Sequence, residues 1–336
     1  SSSPNVLRKM VLAGTDILRF NFSYGTLEEK IRNINDAIGV VNELGGYCKI
    51  MADLPNPKIR LGSIEGEDFE IEEGQVITLQ SAQSTNNPKL FLPIQRANIG
   101  KILNVEQILT IGEGSTTLKV EHIISDEAVN CIALNSGKII QNKAIKWKNQ
   151  NIDKDQVLKN IEVSLTKIQE LEKIHFVSFP LVDNEDTARK YKQMIEEIKW
   201  RVKTPKIAFK IETEEGLKNI EKIIPYCDVV IFERGTLAIN TKFEKLGIYQ
   251  KIIAKICNKH KKQMVVSTQI LESTAENYIP QRGEILDITN MVLDGINGIM
   301  LCHETGIGDR PTYSISVAQK IISAVKEYRA IQKNES

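Results

Sequence analysis

The chain has 336 residues, with 44 Lys and Arg against 43 Asp and Glu, and a formal net charge of +1. That balance gives no electrostatic reason to expect nucleic acid or an anionic membrane as partner, and no apolar run approaches the ~20 residues that span a bilayer. Hydrophobic residues at 41% and charged residues at 26% describe an ordinary globular chain, long enough for one large domain and a smaller one.

Five cysteines are scattered, at Cys48, Cys131, Cys227, Cys257 and Cys302. None forms a CxxC pair or a Cys/His cluster with zinc spacing, so they read as reduced thiols of a cytoplasmic protein. The opening SSSPNVLRKM has no basic region followed by a long apolar core, so no secretory signal is visible.

Ser3-Pro4 predicts a helix start, with proline in the first helical turn. VLRKMVLAG continues it to Gly14, and ILRFNFS (17–23) reads as a strand. Thr26 and Glu29 have capping-box spacing ahead of KIRNINDAIGVVNEL, which stops at Gly45-Gly46. YCKIMADL (47–54) is the next strand.

The pattern then changes. From Gly62 to about Ile145 the short runs FEIEE, QVITLQ, ILTIGEG, TTLKVEHII, AVNCIAL and KIIQNKAI alternate as strands do. Gly112-Glu113-Gly114 and Asn135-Ser136-Gly137 are hairpin-grade turns between them. This predicts an all-β insertion over 62–145, interrupting a main domain made of 1–61 and 146–336.

Helix and strand alternate again afterwards. The expected strands are IHFVSF (174–179), KIAFKIE (206–212), DVVIFER (228–234), QMVVSTQ (263–269) and GIMLCHE (298–304). Each is followed by a helical pattern, and SVAQKIISAVKEYRAI closes the chain. The runs are short, apolar and continuous, as parallel strands buried on both faces require. With the two earlier strands they make seven, one short of a (β/α)8 barrel. The expectation is an α/β TIM barrel whose first strand is missing from this chain, because an open sheet would leave a long unpaired edge.

Polar residues collect at the C-terminal strand ends: Arg19, Asn21 and Ser23, then Asp53, Ser178, Lys210 and Glu212, Glu233 to Thr236, Thr268 and Gln269, and His303 to Thr305. Lys210 and Glu212, two apart, point to one side of a strand. Alone they read as an ion pair or as a site where an amine meets phosphate and a carboxylate meets metal. Seven polar strand ends favour the site, since barrel enzymes place chemistry there and each buried polar group needs a partner.

These stretches resemble the pyruvate kinase family. LRFNFSYGT is similar to its ARLNFSHG signature, ADLPNPKIRLG to DTKGPEIRTG, FKIETEEG to KIENxEG and FERGTLA to ARGDLG. VVSTQILEST is similar to ATQMLESM, IPQRGEILDITNMVLDG to RPTRAEASDVANAVLDG and IMLCHETGIGDRP to VMLSGETAKGKYP. The matches run in order over roughly 6–325, and an inserted β lid belongs to the same family. The family's C-terminal effector domain finds no counterpart here, so its allosteric control is expected to be absent.

The resemblance implies transfer of a phosphoryl group from phosphoenolpyruvate to ADP, followed by protonation of the enolate to pyruvate. It implies Lys210 at the moving phosphoryl group, with Arg19 and Arg60 on phosphate and Ser178, Gly235 and Thr236 beside the substrate. Thr268 would lie at the enolate face and Glu304 in a proton relay. Glu212 and Thr236 would hold Mg2+, and Asn21, Ser23, Asp53 and the Leu54 carbonyl would hold K+. Nucleotide contacts fall to Asn21, Tyr24, Arg60 and Lys143. ADP or ATP and phosphoenolpyruvate, or a similar phosphorylated acid, are the expected partners, with a homodimer formed through the barrel.

Several positions depart from the family. Thr236 stands where a metal-binding aspartate is usual, and Glu233 three residues earlier is a candidate substitute carboxylate or an ordinary ion-pair member. Tyr24 and Pro55 replace a histidine and a lysine near the nucleotide. Cys302-His303 replaces Ser-Gly, and IKWKNQN replaces the lid's LPG hinge. Three readings stay open: a pyruvate kinase, a relative acting on another phosphorylated acid or acceptor, and a binding protein without catalysis.

Overall fold

Apolar runs too short for helices become seven strands in the computed structural model, which describes residues 3–56, 58–65, 69–112, 114, 116–148, 150 and 153–334. They are β1 (Ile17–Asn21), β2 (Lys49–Asp53), β3 (Phe176–Phe179), β4 (Lys206–Ile211), β5 (Val229–Glu233), β6 (Gln263–Ser267) and β7 (Gly298–Met300). All neighbours are parallel and follow chain order. Parallel neighbours need crossovers, and helices supply them. One is Leu27–Glu43, opened by the expected capping box of Thr26 and Glu29.

One face of every strand turns toward a shared interior. Ile17, Met51, Phe176, Ala208, Val229, Val265 and Met300 pack there as an apolar cluster. Two residues further along six of the strands, on the same face, come Arg19, Asp53, Ser178, Lys210, Ile231 and Ser267, and just past the end of β7 stands Cys302. The strand period of two carries the next position to the same side again, to Asn21, Glu212 and Glu233. The interior therefore changes from apolar to charged at the C-terminal strand ends. Although β1 and β7 are the outer strands of the sheet, Arg19 Nη1 reaches Cys302 Sγ at 3.8 Å. The sheet is curled as a barrel wall is.

Several elements differ from expectation for local reasons. The helix foreseen in GLKNIEKIIPYC breaks into Glu214–Lys218, Ile220–Ile223 and a 3-10 turn at Ile224–Tyr226, the last carrying Pro225. The FERGTLA segment finishes β5 with Phe232 and Glu233 and enters a helix at the next residue, Arg234–Asn240, capped by the Glu233 side chain.

The chain divides into two compact units, 1–56 with 153–336, and 57–152; the sequence pattern had put these borders at 62 and 145. The second unit holds a six-stranded sheet in the spatial order Ile145–Trp147, Ile108–Ile111, Thr116–Ser125, Ala128–Ala133, Val76–Ser81, Leu92–Ile94. Two short strand pairs accompany it. Its core is built on residues such as Leu79, Leu109, Leu118 and Trp147. The run KIIQNKAI supplies two strand segments, not one, because Asn142 between them adopts a left-handed conformation at φ 61°. Glu113 of the expected Gly-Glu-Gly turn, and Asn149 and Asn151 of IKWKNQN, lie outside the described residues.

Candidate active site

Three strand ends build the centre of the site. Asp53, at the end of β2, is buried. Arg19 from β1 donates to its Oδ2 from Nε at 2.9 Å and again from Nη2. Lys210 from β4 places Nζ 3.3 Å from Asp53 Oδ1 and 3.3 Å from Glu212 Oε1. Lys210 and Glu212 are only 8% and 2% exposed, so their same-side spacing produces a buried charge cluster.

The electrostatics follow from that burial. Desolvation alone would raise the Asp53 carboxyl, yet the Arg19 and Lys210 charges overturn it and hold the group at about 2. Burial pulls both cations down, but Asp53 and Glu212 lift Lys210, and Asp53 lifts Arg19, above their ordinary ranges. Glu233 acts on both cations as a further carboxylate. Two cations thus face three carboxylates, leaving one formal negative charge.

Around this centre the polar groups are held in place. Asn56 donates from Nδ2 to Glu212 Oε2 at 3.1 Å, and from its backbone N–H to Ser23 Oγ at 3.0 Å. Asn21 Oδ1 accepts the Ser23 N–H at 2.9 Å. Asn240 reaches the Glu212 carbonyl at 3.3 Å. Glu233 divides its oxygens: Oε2 accepts the Thr236 N–H at 2.9 Å, and Oε1 accepts the Thr268 hydroxyl at 2.7 Å.

The loop after β6 is strained and clamped. Thr268 and Gln269 both adopt positive φ, at 77° and 52°. Such left-handed geometry costs a non-glycine residue of order 1–3 kcal/mol and persists where its surroundings impose it. Arg234 imposes it from one side, donating to Thr268 O at 3.0 and 2.8 Å and to Gln269 O at 2.6 Å, while Asp287 anchors the guanidinium at 2.6 Å. Glu304 holds the other side, its carboxylate accepting the N–H groups of Ile270 at 3.2 Å, Leu271 at 3.0 Å and Cys302 at 2.7 Å.

The profile of "Pyruvate kinase, barrel domain" matches residues 1–315. The chain belongs to the pyruvate kinase family. It is 28% identical to the pyruvate kinase of Thermococcus litoralis over 330 residues, covering 98% of this chain and 68% of that protein. It is 30% identical to that of Trypanoplasma borreli, covering 96% of this chain and 63% of that protein. A crystal structure described as a pyruvate kinase from Cryptosporidium parvum superposes with a TM-score of 0.76 at 25% identity, over 99% of this chain and 70% of that one. A second C. parvum pyruvate kinase structure, 24% identical, reaches a TM-score of 0.83 over 97% of this chain and 68% of that one. The fold is accordingly the family's (β/α)8 barrel with an inserted β domain.

The site residues expected from the pyruvate kinase resemblance distribute as follows. Arg19, Asp53, Ser178, Lys210 and Glu212 meet in one buried cluster, with Asn21 and Ser23 bonded at its rim. Leu54 is buried, and its backbone N–H donates to Ser178 O at 2.9 Å. Gly235 and Thr236 open the helix after β5, and Thr268 hangs on Glu233. Tyr24 is exposed. Arg60 and Lys143 belong to the inserted unit, where Arg60 Nη1 donates to Asn142 O at 3.0 Å and Lys143 O accepts the Leu61 N–H at 2.9 Å. Cys302 stands against Arg19, its thiol raised by burial. Burial pushes Cys48 up to about 11 and Cys131, Cys227 and Cys257 to about 12, so these four are poor nucleophiles.

Sequence reasoning missed Asn56 and the clamping role of Arg234. Asn56 lies beyond β2 in a loop, where period-two logic has no reach. Arg234 was visible as a charge after β5, but its backward turn depends on the helix start at that residue.

Proposed function

We propose that this family member transfers the phosphoryl group of phosphoenolpyruvate to ADP, the pyruvate-forming step of glycolysis, in a cytoplasmic setting. The observation that carries this reading is the buried Lys210 amine, held between Asp53 and Glu212 with the Arg19 guanidinium beside it. Phosphoryl transfer depends mainly on positioned positive charge in a water-poor pocket. A lysine is a compact cation for a moving phosphoryl group, and an arginine suits phosphate oxygens.

The cluster's formal negative charge would repel a phosphorylated acid. The residues present fit a hard divalent cation that reverses this. Glu212 is a buried carboxylate, and Thr236 Oγ1 and Asn56 Oδ1 are buried oxygens with no hydrogen-bond partner among the described residues. No group of three His, Cys, Asp or Glu side chains suited to a metal occurs among the described residues, so neutral oxygens have to complete the set, as they commonly do for Mg2+. Glu212, with the oxygens of Thr236 and Asn56, would hold such an ion, and when bound it would supply positive charge against a phosphate group. The expected potassium ligands fit less well: both Asp53 oxygens are committed to Arg19 and Lys210, and a third cation beside them is disfavoured. No step is assigned to potassium.

A second reading is favoured by one contrast. The phosphate-side residues Arg19, Lys210 and Glu212 persist, while Tyr24 and Pro55 depart from the family on the nucleotide side. That pattern suits a relative using a different acceptor. Release of pyruvate from phosphoenolpyruvate, with ADP and Mg2+ present or withheld, tests the first reading. Thermal stabilisation by phosphoenolpyruvate but not by ADP supports the second, since only a ligand of the folded state raises the melting temperature.

A further inference from the structure

We propose that Glu233 is a positioning residue for Thr268, fixing its hydroxyl so that the oxygen's lone pairs, not its proton, face the pocket. The inference rests on the reading of Thr268 as the group beside the enolate. Three observations support it. Thr268 Oγ1 donates to Glu233 Oε1 at 2.7 Å. The other oxygen, Oε2, is bound by the first-turn Thr236 N–H of the helix Arg234–Asn240, so the carboxylate cannot rotate without losing a helix cap. The Thr268 backbone is itself held at φ 77° by Arg234.

The other carboxylate nearby does not compete for this role. Glu304 spends its two oxygens on three backbone N–H groups, so it secures the loop and leaves the hydroxyl of Thr268 to Glu233. Glu233 is also paired across strands with Ser267, the residue before Thr268. The two elements therefore share a fixed spacing along the β5–β6 ladder, and the hydroxyl is tied at both its backbone and its oxygen.

Glu233→Gln gives a sharp test because it preserves shape and reverses polarity. The Thr236 N–H still requires an acceptor, so the amide oxygen takes the cap and the NH2 group is turned to Thr268. The threonine hydroxyl then accepts instead of donating, and its proton is released toward the pocket. The readout is exchange of pyruvate methyl protons with solvent, measured by NMR with Mg2+ and inorganic phosphate, beside the KM for phosphoenolpyruvate. A methyl proton taken up by Thr268 Oγ1 is balanced by passage of the hydroxyl proton to Glu233 Oε1, and the reverse step returns it. An amide NH2 cannot accept that proton, so exchange is expected to fall on the order of tenfold or more, with KM changing about threefold or less. Exchange within twofold of the unsubstituted protein would overturn the proposal.

The contact itself is tested without any activity. Melting temperatures of Glu233→Ala, Thr268→Val and the double variant should be non-additive, as they are for residues that touch. Additive shifts would sink the proposal even if catalysis were lost. If the unsubstituted protein neither binds nor turns over phosphoenolpyruvate, the functional reading fails while this thermal cycle still judges the contact.

Discussion

Asp53 Oδ1 and Lys210 Nζ meet at 3.3 Å although a whole strand, β3, separates their own strands in the sheet. The pair spans that strand near its C-terminal end, where the small, buried Ser178 lies beside Asp53. Asp53 also carries Arg19, so it is the common partner of both cations. Removing it would leave two buried positive charges short of a partner, a situation that typically costs about 3–5 kcal/mol. Asp53→Asn should therefore lower the denaturation midpoint substantially, as followed by circular dichroism in urea. A near-wild-type midpoint would show that Glu212 and Glu233 alone satisfy the cations.

The same carboxylate should set part of the acid limit. Its ordinary value of 3.8 is depressed to about 2 in the folded protein, so the unfolded chain binds its proton first as pH falls. The stabilisation is complete above about pH 4 and is lost as pH drops through about 2. The shift corresponds to roughly 2 kcal/mol. Urea midpoints measured from pH 5 to pH 2 should fall steeply, and Asp53→Asn should flatten that slope.

How much of this was legible beforehand depends on the range of each rule. Strand alternation was enough to place Lys210 and Glu212 on one side, because period two is a property of a single strand. It also placed the polar residues at one end of the sheet. It could not show that Asp53, two strands away, would bind both Lys210 and Arg19, since that depends on the curl of the whole sheet. Glu233 shows a second limit. Its charge was plain, but two of its partners come from a helix cap and from a strained loop, and the positive φ at Thr268 has no glycine to announce it. The inserted unit was recognised by its short alternating runs, while Leu92–Ile94 escaped notice because PKLFLPI (88–94) carries two prolines.

Lys210 is the residue on which the functional reading turns. Lys210→Met keeps much of the stem's volume and removes the charge. Pyruvate formation should fall by about 10²–10³-fold or more, in line with loss of one electrostatic group in a dry site. Lys210→Arg should also lose most activity, because the planar guanidinium cannot occupy the point between Asp53 and Glu212. Turnover of the arginine variant near the unsubstituted rate would argue that charge alone, and not an amine at that point, is required.

Thr236 offers a gain-of-binding test. Its hydroxyl oxygen is buried without a hydrogen-bond partner among the described residues, and a carboxylate there would add a charged ligand to the divalent site proposed above. Thr236→Asp should bind Mn2+ about tenfold more tightly than the unsubstituted protein, measured by EPR of the free ion, because a hard cation favours anionic oxygen. Unchanged affinity would place the divalent site away from the β5 end.

Arg234 tests whether the strained loop is held or merely tolerated. Its guanidinium donates to the carbonyls of Thr268 and Gln269 and is anchored by Asp287. Arg234→Ala removes three hydrogen bonds to two residues whose positive φ values are costly. With the clamp gone, the backbone at 268 and 269 is free to relax toward a negative φ, which would carry the Thr268 hydroxyl away from Glu233. The global fold keeps Glu304 on the following N–H groups, so a moderate loss of stability is expected, of order 1–3 kcal/mol. Amide exchange should rise first in the loop beginning at Thr268, before the strands lose protection. If exchange there stays as slow as in β6, the left-handed pair is stable without its arginine and the loop geometry is dictated by Glu304 alone.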